Sequence, residues 1–134
     1  MAMKNFRVYP KKGEPFDLEL MKFSFDESAF TLYNSSNEPS SDGFLLLENV
    51  AAVYDTKQPR PDWEDIRCFE VRLVNRTEPL RVFAHYFKSD RSPSIEFYWI
   101  NTNGPDDIRI ENVYIARSEI VSITPTGGLT KYAD

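Results

Sequence analysis

The sequence has few of the residues on which catalytic, metal and disulfide sites depend. It contains one cysteine, one histidine and five glycines among 134 residues. A single cysteine excludes an internal disulfide, and a single histidine leaves little material for a general base, an activated nucleophile or a zinc site. We therefore predict that the protein is not an enzyme and that it holds neither a cofactor nor a metal ion.

Positive charge and long apolar runs are also scarce. Sixteen Lys and Arg against 21 Asp and Glu give a formal net charge of −5, which opposes attraction to phosphate backbones. No segment approaches the roughly 20 apolar residues of a membrane helix, and the first residues lack the apolar stretch of a signal peptide. We expect a cytoplasmic, acidic protein with no membrane contact, for which nucleic acid is an unlikely partner.

The residues that are abundant favour a compact β protein. The chain is 41% hydrophobic and 14% aromatic, which is enough apolar surface to form a core. Its apolar residues alternate with period two, which is typical of strands. Phe69, Val71 and Leu73 share one face of such a strand, and Leu80 and Val82 resume the pattern after a polar turn. This pattern predicts a β-hairpin.

The same order of features occurs twice along the chain. Residues 6–8 and 69–71 both read Phe-x-Val, and each is followed by a Glu-Pro turn at Glu14 or Glu78. The second strand recurs at a sequence offset of 64, the third at an offset of 65, and a strand–turn–strand segment at an offset of 70. Two unrelated β meanders can resemble one another by chance, but the shared order favours an internal duplication.

The repeat predicts the domain organisation. We expect an all-β fold of two tandem antiparallel small-barrel or meander units, related by a pseudo-twofold. The first unit covers residues 5–56 and the second residues 67–125. Residues 57–66, which contain two prolines, form the linker, and residues 126–134 form a flexible tail.

Each half resembles the Sm-like and SH3-like small β-barrels in its apolar spacing. Four residues occupy the apolar or glycine positions of the second strand of the Sm-like pattern, and three occupy the apolar positions of its late turn: Leu80, Val82, Ala84 and Phe87, then Ile115, Ile120 and Ile123. The resemblance implies five bent strands in each unit. Val82 replaces the glycine of the pattern, Lys88 its aspartate, and Ala116 and Arg117 its Arg-Gly pair. The Arg-Gly pair is part of that family's RNA pocket, so the resemblance implies a topology and not RNA binding.

Three features suggest chemistry but have simpler explanations. His85 could act as a general base, although an exposed or interface histidine is the commoner role. Cys68 has no histidine nearby in the sequence and is expected to be an inert buried thiol. Residues 101–107 are rich in oxygen ligands, yet they lack the closing glutamate and flanking helices of a calcium loop, so we interpret them as a turn.

The second unit places unusual residues opposite its core positions. The first unit carries polar side chains on its outer face, whereas the second carries an aromatic and arginine-containing set: Arg81, Phe83, His85, Tyr98 and Ile100. That composition is typical of protein interfaces. We predict that this set binds another protein or a second copy of the chain in an adaptor, assembly or inhibitory role. Two alternatives are that the first unit or the C-terminal segment covers it, and that the protein binds single-stranded RNA or a small ligand.

Overall fold

The computed structural model describes residues 3–26, 29–33, 45–57, 65–89 and 93–126. These residues form thirteen strands and two short 3₁₀ turns, and they include no α-helix. The first-half strands are β1 Lys4–Pro10, β2 Phe16–Leu20, β3 Lys22–Phe25, β4 Ala29–Tyr33, β5 Leu45–Leu46 and β6 Val50–Asp55. The others are β7 Arg67–Leu73, β8 Leu80–Ala84, β9 Tyr86–Lys88, β10 Glu96–Trp99, β11 Ile108–Arg109, β12 Val113–Ile115 and β13 Ile120–Thr126.

The chain divides into two compact units. One comprises Met1–Lys57 with Asn112–Ala116, and the other comprises Gln58–Glu111 with Arg117–Asp134. Residues 112–116 belong to the first unit because β12 pairs with β6, although the repeat places them in the second half. Most of the predicted linker, residues 58–64, and the predicted tail from residue 127 onward lie outside the described residues.

The first unit contains two antiparallel sheets, which are joined where the chain bends between β2 and β3. One sheet has the strand order β12-β6-β1-β2 and the other the order β3-β4-β5. Met21 alone separates β2 from β3, and its N–H donates to the carbonyl of Tyr33 at 2.9 Å. The turn between β1 and β2 contains Gly13 at φ 105°, a backbone conformation that only glycine adopts without strain.

Aromatic rings fill the core of the first unit. Phe6 meets Phe23 edge-on with ring centroids 5.4 Å apart. Tyr114 of β12 enters the same core and packs against Phe25 and Phe30 at 4.9 and 4.8 Å. Phe16, in contrast, is 42% exposed at the start of β2, although the alternation places it with Leu18 and Leu20. It lies beside the hairpin turn, where the sheet offers less cover.

The second unit repeats this design with the sheets β13-β7-β8 and β11-β10-β9. His85 separates β8 from β9 as Met21 separates β2 from β3, and its N–H donates to the carbonyl of Tyr98 at 2.9 Å. Phe69 meets Phe87 edge-on at 5.5 Å, which repeats the Phe6–Phe23 contact. The strand-forming alternation of the sequence therefore places equivalent residues in equivalent positions.

The pairing registers repeat at the offsets found in the sequence. Phe6 lies opposite Leu18 and Phe69 opposite Val82, while Phe23 lies opposite Leu32 and Phe87 opposite Phe97. Val8 pairs with Val53 and Val71 with Ile123. The two 3₁₀ turns, Leu47–Asn49 and Arg117–Glu119, are related by the offset of 70, as the strand–turn–strand prediction requires.

The prediction of an all-β fold with antiparallel sheets is confirmed. Within the described ranges no sheet closes on itself, so the structure contains several open antiparallel sheets. The finer prediction of two small barrels stays a prediction.

Candidate interaction surface

The outer face of the β9–β10–β11 sheet presents two tyrosines between charged residues. Phe87 and Phe97 point to the core, so their strand neighbours point outward because side chains alternate along a strand. We call this outward set the tyrosine face; it consists of Tyr86, Lys88, Glu96, Tyr98, Arg109 and the adjoining Asp107. Lys88, Asp107 and Arg109 are exposed, and the other three are half-buried.

Tyr86 and Tyr98 form the centre of the tyrosine face. They lie directly opposite one another on β9 and β10, and their rings stack with centroids 5.2 Å apart and planes inclined by 8°. The ammonium of Lys88 lies 5.0 Å from the centroid of the Tyr98 ring, which is a cation–π distance. The two rings therefore form one continuous aromatic surface.

Hydrogen bonds hold both tyrosine hydroxyls. Tyr86 donates to Asp107 at 2.6 Å, and the second oxygen of Asp107 accepts the backbone N–H of Asn101 at 3.2 Å. Tyr98 donates to Glu96 at 3.2 Å, and Arg109 pairs with the other oxygen of Glu96 at 3.1 Å. These contacts orient the rings while leaving them partly exposed, which restricts the conformations that the two side chains can adopt.

The Tyr86–Asp107 hydrogen bond shifts the pKa values of both side chains. It raises the pKa of the Tyr86 phenol to about 12 and holds the pKa of Asp107 below its ordinary value. The raised phenol pKa means that the bond stabilises the fold below the ordinary tyrosine pKa and that this contribution is lost as pH rises through about 12. Because the pKa of the Asp107 carboxyl is lowered, the carboxylate also stabilises the fold. This contribution is lost only in acid, as the pH falls through the pKa of Asp107 in the folded protein.

We predict that tyrosine ionisation will reveal this bond. In an ultraviolet absorbance titration of the folded protein, Asp107→Asn should lower the pKa of Tyr86 from about 12 toward the ordinary value of 10, because the amide carries no charge to oppose a phenolate. Glu96→Gln, which leaves Asp107 intact, is the control. An unchanged titration in Asp107→Asn would contradict the assignment.

The predicted interaction residues fall into two places. Tyr98 lies at the centre of the tyrosine face, and its carbonyl accepts from His85 N–H. His85 accepts the N–H of Ile100 on Nδ1 at 2.9 Å, and Ile100 is 46% exposed. The structure thus brings these three together at the bend between β8 and β9.

Arg81 and Phe83 lie on the outer side of β8, in the other sheet of the unit. Arg81 pairs with Glu70 across the strands at 3.2 Å. Phe83 is half-buried, and its carbonyl accepts the indole N–H of Trp99 at 2.9 Å. The alternation of β10 places Trp99 on the same face as Phe97, yet Trp99 is only half-buried.

Most of the tyrosine face was missed by sequence reasoning because the bend at His85 changes the phase of the alternation. Two residues share a face of an unbroken strand only when an even number of positions separates them. Ala84 and Phe87 are three positions apart, yet both point inward because the chain bends between them. Tyr86 and Lys88 therefore lie on the outside. The signal was present in the repeat. The offset of 64 that aligns Phe23 with Phe87 also aligns Lys22 with Tyr86, and the offset of 65 aligns Tyr33 with Tyr98. The paired residues Lys22 and Tyr33 therefore correspond to the paired residues Tyr86 and Tyr98.

The first unit has a simpler version of this contact. Lys22 lies opposite Tyr33, with its ammonium 4.8 Å from the ring centroid. A lysine thus stands where the second unit has Tyr86, and no continuous pair of rings forms at this position. Tyr33 is therefore a matched control for substitutions of Tyr98.

The chain matched nothing when it was compared with protein-family models, curated proteins and solved structures. Among the residues the structure describes, no group of three or more His, Cys, Asp and Glu could hold a metal ion. No helix in the same ranges is long and apolar enough to cross a membrane.

Proposed function

We propose that this protein is a non-catalytic interaction module that binds another protein through the tyrosine face together with His85 and Ile100. The observation that carries the proposal is the stacked Tyr86–Tyr98 pair, held at the surface by its hydroxyls. Tyrosine is enriched among the residues that dominate binding energy at interfaces. Two oriented rings with an exposed Ile100 nearby supply apolar contact area and polar atoms in one place.

Charge favours a protein partner over single-stranded nucleic acid. Stacked rings beside Lys88 and Arg109 are suited to stacking bases, and this is the observation behind the alternative function. Glu96 and Asp107, however, are interleaved with those cations, and the chain carries a net charge of −5. Mixed charge of this kind suits a polar protein surface better than a row of phosphates.

The single histidine supports a binding role over catalysis. His85 uses Nδ1 to accept the N–H of Ile100, which leaves that nitrogen unavailable to take a proton from a substrate. Its position at the bend between β8 and β9 gives it a structural role, because it ties the end of β10 to the bend beside Tyr86. We propose that it positions the interaction surface.

The proposal extends to the architecture of the chain. We propose that the two halves are tandem copies of one small-barrel unit, in which the second strand bends once and a 3₁₀ turn precedes the last strand. The repeated registers and the repeated edge-on phenylalanine contacts support this view.

Selection of displayed peptides tests the binding function. Peptides selected on the wild-type protein should bind Tyr98→Ala about 30-fold more weakly, which corresponds to the roughly 2 kcal/mol of an interface hot spot. Tyr33→Ala should leave their affinity unchanged, because Tyr33 lies at the equivalent position of the first unit. Circular dichroism should show that both variants remain folded.

Two results would count against this function. One is a peptide set that binds wild type and Tyr98→Ala equally, or a selection that yields no peptide dependent on Tyr98. The other is tight binding of labelled oligouridine that weakens steeply with salt and is lost in Tyr98→Ala, which would establish the nucleic-acid alternative.

A further inference from the structure

β6 and β13 occupy the same place in the two repeats but differ at one edge. β6 lies between β1 and β12 and so pairs on both sides. β13 pairs with β7 alone among the strands of the described residues. Within those residues, the edge of β13 that faces away from β7 is therefore unpaired, whereas the corresponding edge of β6 is paired with β12. We call this unpaired edge of β13 the open edge.

The open edge carries apolar residues that the covered edge buries. Val121 is 65% exposed, whereas Ala51, its counterpart in the first repeat, is 3% exposed. Ile120 and Ile123 are half-buried, although their counterparts Val50 and Val53 are buried. Residues 120–124 include no charged side chain, so this edge lacks the charges that commonly prevent strand addition.

The first unit shows which strand fits such an edge. β12 joins β6 antiparallel with Ile115 opposite Ala52 and Tyr114 opposite Val53. The repeat offset of 70 that relates β6 to β13 also relates β5 to β12, since Leu45 corresponds to Ile115. β5 is the last strand of the described β3-β4-β5 order, so in that order it too has an edge available for pairing.

We propose that β5 of a second copy of this chain pairs antiparallel with β13, with Leu45 opposite Ser122. The pairing copies the β6–β12 contact between molecules. Each contact joins a donated β5 to an accepting β13, so copies associate into a closed ring of two or more chains or into an open chain. Pro125 lacks an N–H and limits the contact to the residues before it.

The register gives a crosslinking test. Ala116 N–H donates to Ala51, and Asp55 N–H donates to Asn112, which makes the intervening Ile115–Ala52 a non-hydrogen-bonded pair. Such pairs have Cα atoms about 4.5 Å apart, within reach of a disulfide. Leu45→Cys on one copy should therefore crosslink to Ser122→Cys on another when the two variants are mixed in a glutathione redox buffer.

The matched control is Arg72→Cys, an exposed position directly opposite Ser122 on the neighbouring strand. We expect Leu45→Cys to crosslink with Ser122→Cys at least about tenfold faster than with Arg72→Cys, because only the former pair meets disulfide geometry. Equal rates would overturn the proposal. A crosslink formed by Ser122→Cys alone would show that two β13 edges pair with each other, which also overturns it.

Mass in solution tests the same contact without cysteines. Wild type should form species above the monomer mass that grow with concentration in sedimentation experiments. Val121→Lys should abolish them because a lysine on an edge strand blocks pairing, while Val121→Thr, which keeps the β-branched shape, should retain them. Val121 is exposed, so both variants should fold. A wild type that stays monomeric at all concentrations would overturn the proposal, whatever the tyrosine face does.

Discussion

Replacing Tyr114 with alanine should lower the free energy of unfolding by about 3–5 kcal/mol, the range for loss of a large buried aromatic side chain. Tyr114 is 2% exposed, and its ring meets Phe25 and Phe30 edge-on. Its removal would leave a cavity that the surrounding rings cannot fill without losing their own contacts. Urea unfolding monitored by fluorescence and circular dichroism measures the loss.

Tyr114→Phe is the control for this prediction. Burial raises the pKa of the Tyr114 phenol, and within the described residues the hydroxyl makes no hydrogen bond that the change would break. Phenylalanine keeps the ring contacts, so its stability should stay within about 1 kcal/mol of wild type. A large loss in Tyr114→Phe, or a small one in Tyr114→Ala, would contradict the assignment of Tyr114 to the core.

Phe6→Ala and Phe69→Ala should each cost about 3–5 kcal/mol, because they delete the same contact in the two units. Phe6 and Phe69 are 0% and 4% exposed, and their rings meet Phe23 and Phe87 edge-on at 5.4 and 5.5 Å. Such aromatic pairs add about 0.5–1.5 kcal/mol beyond the area that they bury. The measurement is the urea midpoint together with its slope.

The matched control is Phe16→Ala, the same chemical change at a site that is 42% exposed. It should cost under about 1 kcal/mol, as substitutions away from the core usually do. Suppose that Phe69→Ala lowered the free energy of unfolding no more than Phe16→Ala does, while Phe6→Ala lowered it by about 3–5 kcal/mol. The two units would then not have equivalent cores, and the proposed repeat would be wrong.

The local pattern of the sequence predicted the hairpins and the strand–turn–strand segments well. Alternation at residues 69–73 and 80–84 depends only on neighbouring side chains, and the structure forms β7 and β8 there. The 3₁₀ turns occur where two apolar segments follow each other without a Gly or Pro break, as the repeat at residues 45–53 and 115–123 indicated. These features follow from short-range rules.

The features that sequence reasoning missed depend on long-range pairing. Nothing in the alternation of Val113 and Ile115 indicates that β12 pairs with β6, which lies in the first half of the chain. The bend at His85 likewise shifts the phase of the alternation, and period-two reasoning has no signal for such a shift. The tyrosine face depends on that shift, and this is why Tyr98 alone among its members was predicted as an interaction residue.

The insertion of β12 into the first unit has a consequence for synthesis of the chain. When Lys57 leaves the ribosome, the strand that supplies Tyr114 has not been translated, because residues 58–111 come first. At roughly 5–20 residues per second, this delay is roughly 3–10 seconds. During that interval the nascent first half has an incomplete core and one uncovered edge on β6, which are features that chaperones recognise. Vectorial folding from the N-terminus therefore cannot finish the first unit before most of the second is made.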